Sequence, residues 1–290
     1  MRVSLAVLAV VGCVASANAQ DSTRTDTTRI GSVVSIGNTA GVNGLRLNFR
    51  DSRLYRVNGV NLTVWLPDGA GRGTINGLAI GLPATGARTI NGLGIAVGGF
   101  AVSRDVNGLL VAGLASGIGG SATGIAVGGL GVAAREGLAG LNVAGLVVAS
   151  GGRLDGIAAA GLAAVAVGDV KGLLVGGLAA GTSGTIHGVA IAGGAAGAPL
   201  VRGLLVAGLA AGGQDVNGVM IAPLYTRIVG GQLTGGSIGA VNDVRGELHG
   251  VSIGIFNYAR SLHGVQLGLL NLAGNNHGLA RLLPLLNLHL

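Results

Sequence analysis

Val106-Asn107-Gly108-Leu109-Leu110-Val111-Ala112-Gly113-Leu114 is followed sixteen residues later by Ala122-Thr123-Gly124-Ile125-Ala126-Val127-Gly128-Gly129-Leu130. The pattern is aliphatic, polar or small, Gly, aliphatic, any, aliphatic, small, and it returns along the chain. Self-similarity at a near-constant period is the signature of a repeat architecture. The marker glycines are Gly44, Gly59, Gly77, Gly92, Gly108, Gly124, Gly140, Gly156, Gly172, Gly188, Gly203, Gly218, Gly235, Gly250, Gly264 and Gly278. Their spacings are 15, 18, 15, six successive 16s, 15, 15, 17, 15, 14 and 14, which makes sixteen units.

The position after the marker is aliphatic except at Gly236, and the third position after it is aliphatic except at Ala159 and Arg281. Val-rich and Ile-rich alternation that ends in glycine-containing turns marks short β-strands. Asn or Asp precedes the marker at Asn43, Asn58, Asn76, Asn91, Asn107, Asp155 and Asn217. Both residue types tolerate φ > 0, so each unit is expected to begin at a corner. A second break follows pairs such as Ala112-Gly113, where the next large residue, Leu114, comes three positions after Val111. Strand, corner and a new inward residue describe one coil of a β-solenoid, whose stacked coils repeat at about 4.8 Å. The pattern predicts an all-β parallel solenoid with Leu109, Val111, Leu114 and their equivalents facing inward.

Composition narrows the alternatives. Of 290 residues, 59 are Gly, which disfavours a close-packed helical protein. Charged residues are 10% and hydrophobic residues 49%, the reverse of a disordered chain. The single Cys, Cys13, excludes a disulfide framework. Arg2, the apolar run 3–14 and Ala17-Asn18-Ala19 read as a signal peptide over 1–19, cleaved after Ala19. The alternative is a lipoprotein acylated at Cys13, since Val10-Val11-Gly12-Cys13 looks like a lipobox. The apolar run is too short to span a bilayer, which needs about 20 residues. Residues 20–40 form a polar N-terminal segment with an expected edge strand in 30–37. Residues 41–290 form one β-repeat domain, with 279–290 as a C-terminal cap where Arg281 and Pro284 break the repeat.

The last units, Gly250-Val-Ser-Ile-Gly-Ile-Phe-Asn257 and Gly264-Val-Gln-Leu-Gly-Leu-Leu-Asn271, resemble the G-V-Q-[IL]-G-L-x-N repeats of the bacterial surface-repeat proteins first described in Leptospira. The similarity is tight over 248–273 and degenerate in the Ala/Gly-rich middle, where the Gln and Asn are gone. The resemblance implies a secreted, surface-associated repeat protein with no established activity.

The rival architecture is an antiparallel outer-membrane β-barrel of about sixteen strands, forming a pore or anchor. An even number of units, an export signal and scarce charge favour it. Against it, both alternating rows are apolar and the chain has only 3 Phe, 3 Tyr and 1 Trp, where a barrel needs a polar lumen and aromatic girdles. Membrane helices are the lesser rival: 106–134 carries no charge, but nine of its 29 residues are Gly, each costing about 1 kcal/mol in a helix.

No nucleotide-binding fingerprint stands in a strand-to-helix context, and Ser121, Ser183 and Ser261 lack a recognisable catalytic frame. The expectation is a non-enzymatic protein without cofactors. The net charge of +7 is dispersed and aromatics are few, so nucleic acid is not an expected partner. Outer-membrane or cell-surface components and self-association through apolar sheet faces are. His249, His263 and His277 share the slot before the marker in three successive units, and in a parallel solenoid they form a column. With no Asp, Glu or Cys in that slot of these three units, no metal is assigned to it, and the three are kept as candidate ligands only. An exported scaffold or adhesive surface is the first reading, the barrel the second and an exported hydrolase the third.

Overall fold

The computed structural model describes residues 33–67 and 71–289. The segment read as a signal peptide, the lipobox-like stretch with Cys13 and the segment 20–32 lie outside the described residues. The protein is an all-β parallel β-solenoid with about 16 residues per turn. Its chain separates into two compact units, Met1–Arg153 and Leu154–Leu290, at a boundary inside the repeat pattern.

In the first unit each turn from Thr74–Gly81 onward lays down a long strand, such as Val106–Ala112, and a short one, such as Ala115–Ile118, while the two long strands before it, Gly41–Asn48 and Arg56–Thr63, have no short partner. Long strands stack on long strands and short on short, parallel and in register. Gly44, Gly59, Gly77, Gly92, Gly108, Gly124 and Gly140 pair successively in one column. Val34–Ile36 adds a short parallel strand at the start, within the expected edge segment. In the second unit Gly156, Gly172, Gly188, Gly203, Gly218, Gly235, Gly250 and Gly264 pair in the same way. Parallel pairing of consecutive turns overturns the barrel alternative, whose neighbouring strands alternate in direction. It overturns the helical one as well.

The repeat glycine has two physical reasons. Every marker has positive φ, +134° at Gly108 for instance, a region that favours glycine. A Cβ at Gly108 would stand 2.0 Å from the carbonyl oxygen of Gly92 in the turn before. The marker is not a corner, however, because the long strand runs straight through it.

That continuity reverses the expected inside and outside. Leu109 is half-buried, Val111 is 38% exposed and Leu114 is 55% exposed, so none of the three faces inward. Val106, Leu110 and Ala112 do, and Ser116 and Ile118 meet them from the short strand. A corner at Gly108 would have reset the phase. Without one, the outward Asn107 carries Leu109 and Val111 outward with it at period two. The interior between the two strand layers is filled mainly by Ala, Gly and Val with one or two larger residues per turn.

Side-chain hydrogen-bond networks fill the core at two places. In the first unit Arg46 and Asp51 form a buried ion pair at 2.6 Å, with side chains 0% and 1% exposed. Asn61 accepts from Arg46 Nη1 at 2.7 Å, and Thr63 and Thr85 donate to Asp51 Oδ2 at 2.5 and 2.9 Å. In the second unit Asn242, Asn257 and Asn271 form an interior ladder, each Nδ2 donating to the next Oδ1 at 2.7 Å.

At the C-terminal end the pattern stops. Gly278 does not join the column, so fifteen of the sixteen expected markers stack, and Gly278 opens a 3-10 helix, Gly278–Arg281. Leu282–His289 then runs antiparallel along the preceding strand and covers the last turn. No helix among the described residues is long and apolar enough to cross a membrane.

Candidate functional site

In the second unit, side chains capable of polar chemistry gather where the short strand turns into the next long one. The local sequence dictates this. Through Ala210 and Gly212 the outer face of the short-strand sheet is bare, and in the following turns the paired positions become Tyr225 and Arg227, then Val241 and Asp243, then Phe256 and Tyr258. Tyr225 Oη donates to Asp243 Oδ2 at 2.8 Å, and Arg245 Nε donates to the same oxygen at 3.0 Å. Burial of the phenol, and then the hydrogen bond and charge of Asp243, push the Tyr225 pKa above its ordinary value, with Arg227 and Arg245 opposing.

Around the corner lies an open groove of about 540 Å³. Gly230, Gly231 and Gly246 contribute backbone, while Asp215, Glu247 and Arg260 contribute charge. Gly246 cannot carry a side chain, since its Cβ would meet Gly231 O at 1.7 Å. Asp215 is partly committed, because its Oδ1 accepts the backbone N–H of Gln232 at 2.9 Å. Asp105 and Asp169 accept the N–H of Ser121 and Thr185 in the same manner. These carboxylates staple one turn to the next.

Two groove residues, Gln232 and Glu247, also approach His249. His249 Nε2 lies 3.0 Å from His263 Nδ1, with the rings edge to face at 4.6 Å. Gln232 Nε2 contacts His249 Nδ1 from the preceding turn, and Glu247 Oε2 is 3.6 Å from His249 Nε2. His277 is not in this column. It precedes the 3-10 helix, and the third ring is His289, brought back by the reversed last strand to 6.0 Å from His263. His289 Nδ1 is in turn bonded to Asn276 Oδ1. Among the described residues no group of three or more His, Cys, Asp or Glu is arranged to hold a metal.

Sequence reasoning missed His289, the Tyr225–Asp243–Arg245 cluster and the Arg46–Asp51 pair. A signal existed for the second, because Tyr, Arg and Asp interrupt a column of Ala and Gly. For the first none did, since a reversal of strand direction leaves no periodic trace.

Charge and apolar surface are segregated within the turn. In the first unit Arg56, Arg88, Arg104, Arg135 and Arg153 all fall three to five residues before a marker glycine, whereas Leu114, Leu130 and Leu146 occupy the turn that follows the long strand, 55%, 50% and 48% exposed. An exposed ladder, Asn43, Asn58, Asn76, Asn91 and Asn107, runs beside the markers with Nδ2 to Oδ1 distances of 2.7 to 3.0 Å. Comparison with family models, with curated proteins and with solved structures gave no match.

Proposed function

We propose that this chain is an exported, non-enzymatic repeat protein of the bacterial cell surface or outer membrane that works as a scaffold and interaction surface. One observation carries the reading. Leu, Ile and Val stand in register on the outer face of successive turns, while charged groups fall mainly in the few residues before the marker, and the carboxylates there and the Asn ladder beside it are spent on joining turns. Contiguous apolar surface of that kind marks an interaction site. The signal-like N-terminus and the resemblance of the last units to leptospiral-type surface repeats support the location.

The test is export. Expressed with its own leader in a diderm bacterium, the chain should be recovered beginning at Gln20, or acylated at Cys13, and should be cut by protease added to intact cells. Recovery in the cytoplasm with Met1 retained would overturn the reading.

A further inference from the structure

In the first unit the outer face of the long-strand sheet carries two uncharged aliphatic columns. One contains Leu109, Ile125 and Leu141, and the other Ile95, Val111 and Val127, paired turn to turn. Ile95 is 46% exposed and Ile125 42%. Seven stacked long strands at about 4.8 Å make a face about 30 Å long. With the columns roughly a third exposed, it offers about 800 Å² on one copy, the area each partner of a standard interface buries.

We propose that a second copy of this chain covers this face, sheet on sheet, across a twofold axis. The inference rests on the interaction-surface reading above and names its partner. Side chains in straight columns at strand spacing are self-complementary: the Leu and Ile of one sheet fill the gaps of another about 10 Å away. A twofold contact uses one patch twice and needs no charge pairing, and this patch offers none. A lipid surface fits less well, because interfacial anchors keep basic residues and aromatics beside the apolar face. Here a single basic residue, Arg56, opens one long strand on this face while Arg88 and Arg104 precede theirs, and the stacked Phe49–Trp65 pair is confined to the first turns.

The test takes the chain as recovered from cells, with Cys13→Ser, and measures its mass in solution. A dimer is expected. Val111→Lys with Val127→Lys should give a monomer with an unchanged β-sheet circular dichroism spectrum, whereas Leu114→Lys with Leu130→Lys on the neighbouring edge should stay dimeric. A second measurement avoids the charged variants: single cysteines at 109, 125 or 141 should cross-link between copies through a short bis-maleimide, and Ala133→Cys on the short-strand face should not. A monomeric parent, equal cross-linking from both faces, or a monomer that floats with phosphatidylethanolamine and phosphatidylglycerol vesicles would overturn the proposal. A monomer displayed on the cell surface sinks only this inference, and a dimer retained in the cytoplasm sinks only the surface reading.

Discussion

Asn257 Nδ2 donates to Asn271 Oδ1 at 2.7 Å in the interior of the second unit, with both side chains fully buried. Asn257 also donates to Leu267 O and accepts from Asn242 and Ser252. Asn257→Ala therefore strands several buried partners and should cost about 3 kcal/mol locally. Asn76→Ala, in the exposed ladder where water replaces the amide, should cost less than about 1 kcal/mol. Stacked turns open in segments, so amide hydrogen exchange around each site is the measurement. Equal loss of protection at both would refute the distinction.

Two glycines with positive φ separate backbone strain from collision. Gly108→Ala sets a Cβ 2.0 Å from Gly92 O, whereas Gly230, at φ +79°, has nothing within 4 Å of that position. Gly108→Ala should break the stack and expose the neighbouring turns to limited proteolysis. Gly230→Ala should fold and lose about 1–2 kcal/mol, the left-handed penalty alone.

The repeat, its period and the parallel stacking were legible because each turn reproduces one glycine-marked pattern. Which face is inside was not. Leu109 and Leu110 are both leucine, and alternation fixes parity without fixing its sign. The sign lay in Asn107: a polar residue that must face water carries Leu109 and Val111 outward when no corner intervenes. Reading Asn107-Gly108 as a turn hid this, although the same dipeptide serves in mid-strand once Gly adopts positive φ. At the chain end, Arg281 and Pro284 signalled a break but not that the strand would reverse and bring His289 to His263 in place of His277.

The Arg46–Asp51 pair tests the polar start of the first core. Asp51→Ala leaves a guanidinium buried without its counter-charge and should cost about 3–5 kcal/mol in the first turns. Arg46→Met combined with Asp51→Leu removes both charges and should recover much of that loss. Hydrogen exchange at 41–63 reads both variants. A double variant no better than Asp51→Ala would show that Asn61, Thr63 and Thr85 cannot do without the charges.

Asn142 is 1% exposed and its Nδ2 has no hydrogen-bond partner, in a position that Leu110 and Ala126 occupy in earlier turns. A stranded buried donor costs about 1–3 kcal/mol, and leucine already fits this column two turns before. Asn142→Leu should raise the thermal midpoint by a few degrees. A lower midpoint would mean that Leu overfills the turn.

Tyr225 gives a pH signature. Burial, and then the hydrogen bond and charge of Asp243, raise its phenol pKa in the folded protein. The group thus favours folding while protonated: its contribution is fully present below the ordinary tyrosine pKa and is lost as pH rises through the higher folded value. In an absorbance titration a late tyrosine step should appear above the ordinary tyrosine pKa, and Tyr225→Phe should remove it. Asp243→Asn removes the charge and leaves the burial, so that late step should move toward the ordinary value without reaching it. If the late step is unchanged in Asp243→Asn, the charge of Asp243 contributes nothing to the raised Tyr225 pKa.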